Sequence, residues 1–188
     1  INLKLLLIME KFNSITNPKV IENLKLQISN SRIIDWATDF NKDAGISYNR
    51  LSYILDYWKN KFSWEKSERE LNSFNQFYFI DKGLKTHFLH LKSPEDNALP
   101  LLLIHGWPGS IFEFFDLIPL LTNPNENNLL GNQPFDLVIP SLPNVGFSFS
   151  KNQKPMDLVE ISDHFVKLMN CLGYKSYFIQ GGDLGSFI

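Results

Sequence analysis

The sequence predicts an α/β fold in which a helical N-terminal region precedes a parallel sheet. Two observations carry this prediction. Apolar residues recur at helical spacing before residue 75, and from Pro18 to Leu71 the only glycine is Gly45. After residue 75, short apolar runs alternate with amphipathic stretches, which is the pattern of parallel β-α-β units. We therefore expect a helical region over residues 1–74 and an incomplete α/β core over residues 75–188.

The helical region contains apolar residues three or four positions apart, the spacing of one helix face. They form three groups: Val20, Leu24 and Ile28; Ile33 through Phe40; and Leu51, Ile54, Leu55 and Trp58. Ser63 is a typical N-cap for a further helix that ends at Leu71, since its hydroxyl can accept a hydrogen bond from a first-turn N–H group.

The core should begin with a β-hairpin and continue as alternating strands and helices. The hairpin strands are predicted at Gln76–Ile80 and Leu84–His90, joined by a turn at Asp81, Lys82 and Gly83. The following elements are predicted in this order: strand Leu101–Ile104, helix Ile111–Leu121, surface loop Thr122–Pro134, strand Leu137–Ile139, helix Leu158–Leu172 and strand Tyr177–Ile179.

Composition excludes several classes of function. With 44% hydrophobic residues the chain can form a core, and a net charge of -2 argues against binding nucleic acid. The apolar run Leu5–Met9 is far shorter than the ~20 residues that span a bilayer, so we expect no membrane partner. The single cysteine, Cys171, cannot form an internal disulfide, which favours a cytoplasmic location.

The segment Gly181-Gly182-Asp183-Leu184-Gly185 directly follows the last predicted strand. In a nucleophile elbow the central residue lies on a strained turn, and small neighbours are needed because strand and helix approach closely there. An aspartate in the centre is already ionised at neutral pH, so it needs no adjacent base in order to attack. Alternatively, Asp183 is the N-cap of the following helix.

A second glycine-rich loop follows the strand Leu101–Ile104 and consists of His105, Gly106, Trp107, Pro108, Gly109 and Ser110. In an α/β-hydrolase fold, the loop at this place supplies one N–H group to the oxyanion hole. An ordinary strand-to-helix turn would also contain glycine and proline.

These motifs together resemble the microsomal-type epoxide hydrolases. The resemblance rests on the loop 105–110, on Gly181-Gly182-Asp183, and on two shorter motifs and one N-terminal stretch: Ser141-Leu142-Pro143, Gly146-Phe147-Ser148, and the spaced residues Tyr57-Trp58, Trp64, Glu70-Leu71-Asn72 and Phe74-Asn75-Gln76-Phe77. The order of the motifs is that of the family. The chain is therefore expected to have an α/β-hydrolase fold, truncated after the nucleophile elbow and preceded by a helical N-terminal epoxide hydrolase domain.

The resemblance implies that Asp183 attacks an epoxide carbon to form an ester, which water then hydrolyses to a vicinal diol. It implies that the backbone N–H groups of Trp107 and Leu184 stabilise the oxyanion, and that the Trp107-Pro108 bond is cis. The expected partners are a small hydrophobic epoxide and water, with no cofactor and no metal. The lid tyrosines of the family do not occur in this sequence.

The sequence departs from the family pattern at two places. Leu184 stands where these enzymes usually carry Trp, and Asn144-Val145 stands where they commonly carry Gly-Tyr. The first change alters the pocket wall but keeps the N–H group, and the second predicts a different turn.

The acid and the histidine of the catalytic triad follow the nucleophile in this fold. None of Leu184–Ile188 is His, Asp or Glu, so we expect this polypeptide alone to lack turnover. His87, His90, His105 and His164 are interpreted as structural. The unpaired outer edge of the last strand predicts self-association.

Other functions remain open at this point. A haloalkane dehalogenase also uses an elbow aspartate, but the helical region argues against it. A serine esterase built on Ser148 is disfavoured because the motif lacks a second glycine. A non-catalytic remnant, or a binding module that uses the helical region, belongs to a different class.

Overall fold

The computed structural model describes residues 9–34, 45–127 and 131–188. These residues form two compact units, a helical unit over residues 14–73 and a sheet unit made of residues 9–13 and 74–188. The sequence analysis placed residues 1–74 in the helical region, whereas strand β1 (Met9–Phe12) of that range pairs in the sheet. Its short sequence, MEKF, has no apolar run that would have predicted a strand.

The helical unit contains α1 (Pro18–Asn30), α2 (Tyr48–Asn60) and α3 (Trp64–Asn72). Ser63 is the N-cap of α3, as predicted, and its side chain accepts a hydrogen bond from the Lys66 N–H. Of the helix predicted at Ile33–Phe40, Ile33 and Ile34 follow α1 outside any helix, and residues 35–40 lie outside the described part of the chain.

The Glu68 carboxylate of α3 holds the segment that precedes α1. One of its oxygens, Oε1, accepts hydrogen bonds from the Ser14 hydroxyl at 2.9 Å, the Thr16 N–H at 2.8 Å and the Thr16 hydroxyl at 2.7 Å. The Thr16 hydroxyl, the largest cause, lowers the pKa of Glu68 against the opposing effect of burial. These charge-assisted bonds stabilise the connection within the helical unit.

The sheet has six strands among the described residues, in the order β1-β2-β3-β5-β4-β6. The hairpin strands β2 (Gln76–Asp81) and β3 (Leu84–Leu91) pair in antiparallel orientation, as predicted. Lys82 and Gly83 between them both have positive φ, 51° and 85°. A two-residue hairpin loop with positive φ at both positions has a backbone twist that matches the twist of the two strands it joins.

The other half of the sheet is parallel and places the C-terminal ends of two strands side by side. β4 (Leu99–Ile104) lies between β5 (Phe135–Pro140) and β6 (Phe178–Gly181) and is parallel to both. The chain therefore crosses from β5 to β6 over β4. In open parallel sheets such a reversal of strand order leaves a crevice at the C-terminal ends of the strands.

The core lies between the sheet and helix α5 (Leu158–Cys171). Phe165, Leu168 and Met169 of α5 pack against Phe88 and Val138 of the sheet. All five side chains are at most 1% exposed, so each contributes about 1.5–3 kcal/mol by burial. The prediction of a helix at this position is confirmed.

The prediction of a single helix at Ile111–Leu121 is wrong. The segment forms a 3₁₀ turn at Ile111–Phe114 and then the short helix α4 (Leu117–Thr122). Pro119 has no N–H group, and in a continuous helix its ring would clash with the carbonyl of Phe115. The chain therefore begins a new helix two residues before Pro119, so that the proline falls in the first turn of α4, where no intrahelical N–H bond is needed.

Strand β6 lies at the edge of the sheet, because β4 is its one strand partner among the described residues. Phe178 and Ile179 on this strand are each 57% exposed. Self-association through this edge stays a prediction.

Candidate active site

The two glycine-rich loops lie next to each other at the C-terminal ends of β4 and β6. Ile104, the last residue of β4, is in register with Gly181, the last residue of β6. The Gly182 N–H donates to the Ile104 carbonyl at 3.4 Å. The sheet thus brings residues 105–110 against residues 182–185, which are far apart in the sequence.

Asp183 lies on a tight turn between β6 and a 3₁₀ turn at Asp183–Ser186. Its φ is 52°, a conformation that costs a non-glycine residue on the order of 1–3 kcal/mol. A Cβ atom on Gly181 would lie 2.0 Å from the Gly185 carbonyl oxygen, and one on Gly185 would lie 2.4 Å from that of Ile104. Both glycines are therefore required by close backbone contacts.

The Asp183 carboxylate is held in its ionised form by backbone donors. The Trp107 N–H donates to Oδ1 at 2.9 Å. This bond, and then one from the Leu184 N–H, lowers the pKa of Asp183 below its usual value. Gly182, not Asp183, occupies the N-cap position of the 3₁₀ turn, so the geometry does not support the interpretation of Asp183 as a helix cap.

The loop 105–110 presents one N–H group to Asp183 because it approaches very closely. A Cβ atom on Gly106 would lie 2.4 Å from the Cβ of Asp183, so only glycine fits there. The Trp107-Pro108 peptide bond is cis, as the resemblance implied. The Trp107 side chain is 65% exposed. It is the backbone N–H of Trp107 that contacts the carboxylate.

A capping box ends the loop, and the sequence analysis did not identify it. The Ser110 side chain accepts from the first turn of the 3₁₀ segment, while the Glu113 carboxylate accepts from the Ser110 N–H at 2.9 Å. The pattern Ser-x-x-Glu could have predicted it. The Glu113 carboxylate packs directly on Gly109, where a Cβ atom would lie 1.5 Å from Oε1.

His105 is buried behind the loop and has two hydrogen-bond partners. Its Nε2 accepts from the Leu142 N–H at 3.0 Å, and its Nδ1 lies 2.8 Å from the Gly106 carbonyl oxygen. Because Nε2 accepts, the proton of the neutral ring is on Nδ1, which donates to Gly106. Burial, the largest cause, lowers the pKa of His105 and favours this neutral form.

The three other histidines have hydrogen-bond partners within the sheet unit. His87 contacts the Ser141 hydroxyl and the Gln76 side chain, at 2.9 and 3.0 Å. His90 lies 3.0 Å from the Tyr174 hydroxyl, and His164 lies 3.0 Å from that of Thr86.

The residues that suggested a serine esterase do not form a nucleophile site. Ser148 is fully buried, its hydroxyl accepts from the His87 N–H at 2.9 Å, and it donates to the Ser141 carbonyl at 2.7 Å. A hydroxyl committed to two backbone groups inside the core is structural.

Of the two departures from the family pattern, Leu184 adjoins the elbow and Asn144 lies in the loop after β5. Leu184 is 40% exposed next to Asp183. Asn144 has a φ of 64°, a region in which Asn is enriched among non-glycine residues, so it replaces a glycine at little cost.

The described residues contain neither a membrane-spanning helix nor a metal-binding cluster. No described helix is both long and apolar enough to cross a membrane. No cluster of three or more His, Cys, Asp or Glu side chains in the described ranges is arranged to hold a metal ion.

Comparison with known proteins identifies the family. Residues 9–114 match the family model described as "Epoxide hydrolase N terminus", and residues 100–188 match that of the "alpha/beta hydrolase fold". The chain belongs to the epoxide hydrolase family. A curated relative, "Epoxide hydrolase 1" of Sus scrofa, is 37% identical over 177 residues, which are 92% of this chain and 39% of that protein.

Solved structures of epoxide hydrolases have the same fold. The epoxide hydrolase of Aspergillus niger is 34% identical with a TM-score of 0.81, and the match covers 95% of this chain and 47% of that one. The juvenile hormone epoxide hydrolase of Bombyx mori is 30% identical with a TM-score of 0.84, covering 96% and 43%. The predicted α/β-hydrolase fold and helical N-terminal domain are confirmed. The chain spans less than half the length of these epoxide hydrolases.

Proposed function

We propose that the protein hydrolyses epoxides to vicinal diols through an ester on Asp183. The observation that carries this proposal is the bond from the Trp107 N–H to the Asp183 carboxylate at the elbow. A carboxylate kept ionised by backbone donors is a nucleophile that requires no base. Membership of the epoxide hydrolase family supports an epoxide as its electrophile.

In the first step an Asp183 oxygen attacks an epoxide carbon. The new C–O bond forms as the ring C–O bond breaks, and the ring oxygen leaves as an alkoxide that takes a proton from an acid or from water. The product is a hydroxyalkyl ester. Oδ1 is bound to the Trp107 N–H, so we assign the attack to Oδ2 and the ester carbonyl to Oδ1.

In the second step water attacks the ester carbonyl carbon and loses a proton to a base. The carbonyl oxygen becomes an oxyanion. The tetrahedral intermediate then collapses as the C–O bond to the substrate breaks, the departing alkoxide takes the proton of the new carboxyl group, and the diol and the Asp183 carboxylate result. The Trp107 N–H already lies 2.9 Å from Oδ1, within the range expected for an oxyanion donor. We assign the second donor to the Leu184 N–H.

The experiment is intact-mass measurement of the chain after incubation with styrene oxide. We expect one adduct, mapped by peptide analysis to Asp183, and none in Asp183→Asn, because an amide oxygen is a poor nucleophile. Asp163→Asn is the matched control, since Asp163 is an exposed aspartate on helix α5, and it should be labelled like the wild type.

An equal adduct in Asp183→Asn would rule out Asp183 as the nucleophile. A folded wild-type chain without any adduct would instead favour a non-catalytic remnant or binding module. Diol release is measured in the same samples. It tests the separate prediction that this polypeptide forms the ester without turning it over.

We also predict a cytoplasmic location and self-association of the chain. A cytoplasmic location rests on the single cysteine, Cys171, and is tested by cell fractionation. Self-association rests on the exposed edge of β6 and is tested by sedimentation of the chain.

A further inference from the structure

A continuous chain of hydrogen bonds leads from the loop after β5 to the Asp183 carboxylate. The Leu142 N–H donates to His105 Nε2, and His105 Nδ1–H donates to the Gly106 carbonyl oxygen. That carbonyl and the Trp107 N–H belong to the same planar peptide unit. The Trp107 N–H then donates to Asp183 Oδ1.

We propose that His105 is a positioning residue that sets the orientation of the Gly106–Trp107 peptide, and thereby of the Trp107 N–H toward Asp183. A peptide plane rotates as one body, so a donor fixed on its carbonyl also fixes the direction of its N–H group. Its effect on catalysis rests on the proposed function, whereas the orientation itself can be tested without any reaction.

Three features of the structure favour this role. His105 is 1% exposed, so its bonds are shielded from competing water. Its proton is on Nδ1, since Nε2 is engaged by Leu142. Hydrogen bonds in such a series also polarise one another, which makes the Trp107 N–H a stronger donor to the carboxylate and to an oxyanion.

The histidine also joins two loops that the sequence separates. Leu142 lies 37 residues after His105, in the Ser-Leu-Pro motif that follows β5. A role confined to fixing that loop would need only the acceptor, Nε2. A role in orienting the peptide needs the donor, Nδ1–H, so the two roles can be separated by substitution.

Two variants of His105 each keep one of its two bonding positions. The side-chain nitrogen of Asn is as far from the backbone as Nδ1, so His105→Asn keeps a donor for the Gly106 carbonyl. The terminal oxygen of Gln is as far as Nε2, so His105→Gln keeps an acceptor for Leu142. His105→Leu keeps neither, and His164→Asn is the control for loss of a buried histidine elsewhere.

The measurement is an NMR titration of the labelled chain that follows the Trp107 amide proton and the Asp183 carboxyl carbon. In the wild type, His105→Asn and His164→Asn, the Trp107 amide shift should change as Asp183 ionises. In His105→Gln and His105→Leu that coupling should be lost, and the pKa of Asp183 should rise toward its usual value. Ester formation with styrene oxide should slow about tenfold or more in these two variants, because the Asp183 carboxylate is no longer held in one orientation for attack.

Retained coupling in a folded His105→Leu variant would overturn the proposal, and so would retained coupling in His105→Gln. If His105→Leu does not fold, the comparison of His105→Asn with His105→Gln decides. A wild type that forms no ester contradicts the proposed function alone, because the Trp107 and Asp183 titrations still test the orientation.

Discussion

At the scale of single residues, the site depends on glycines, because a Cβ atom at their positions would clash with neighbouring atoms. Gly106 has no Cβ, and the space that a Cβ would fill is occupied by the Asp183 side chain. Gly181 and Gly185 likewise allow backbone contacts that any side chain would prevent. The position of the Asp183 carboxylate is therefore set by steric requirements that pair specific glycines with it.

We expect Gly106→Ala to abolish ester formation at Asp183. The added methyl group would lie 2.4 Å from the Asp183 Cβ, so the carboxylate must move away from the Trp107 N–H. Intact-mass labelling with styrene oxide measures the loss. The control is Gly182→Ala, because a Cβ there meets nothing within 4 Å and φ is −120°. Normal labelling of folded Gly106→Ala would contradict this account.

At the scale of elements, hydrogen bonds at helix ends stabilise the parts that support the site. Helix α5, which packs on the sheet, begins with a capping box in which the Asp157 side chain accepts from the Glu160 N–H at 2.8 Å. Helix α4 begins at Leu117, and the side chain of its N-cap residue, Asp116, makes no capping bond. The two aspartates occupy equivalent positions with different contacts.

We predict that Asp157→Ala destabilises the sheet unit by about 1 kcal/mol, the usual cost of losing an N-cap side chain. Asp116→Ala should change the free energy of unfolding by less than about 0.5 kcal/mol. Denaturant unfolding followed by far-UV circular dichroism compares the two variants. Equal destabilisation by both would show that the capping bond in α5 contributes nothing specific.

At the scale of the whole molecule, buried histidines make stability depend on pH. Burial lowers the pKa of His87 to about 3, and that of His90 and His164 to about 4. Unfolded histidine titrates near pH 6.5. The unfolded chain therefore binds more protons than the folded chain between about pH 6.5 and pH 4, and the folded state loses stability as the pH falls through this window.

We expect the free energy of unfolding to fall between pH 7 and pH 4.5, by at most about 1.4 kcal/mol per pH unit for each histidine. His164→Gln should make the slope shallower, because it removes one titrating group and keeps a partner for Thr86. Urea unfolding at several pH values measures the slope. A flat profile for the wild type would show that these histidines are accessible to protons in the folded state.

The local features of the sequence determined much of this protein. Apolar periodicity located α1, α2 and α5, the hairpin turn followed from Asp81-Lys82-Gly83, and the glycine spacing around Asp183 identified the elbow. These features depend on residues that are close in the chain, where hydrogen bonding and steric limits act within a few positions.

The tertiary structure alone decided what depends on distant residues. Strand β1 forms because β2 offers an edge for pairing, and the bond between Leu142 and His105 exists because β4 and β5 are neighbours. The break between the 3₁₀ turn and α4 is compatible with a local signal, Pro119, which lies in the first turn of that helix. The register of β4 with β6 brings Trp107 to Asp183, and no local pattern encodes the register of two strands separated by a whole β-α-β unit.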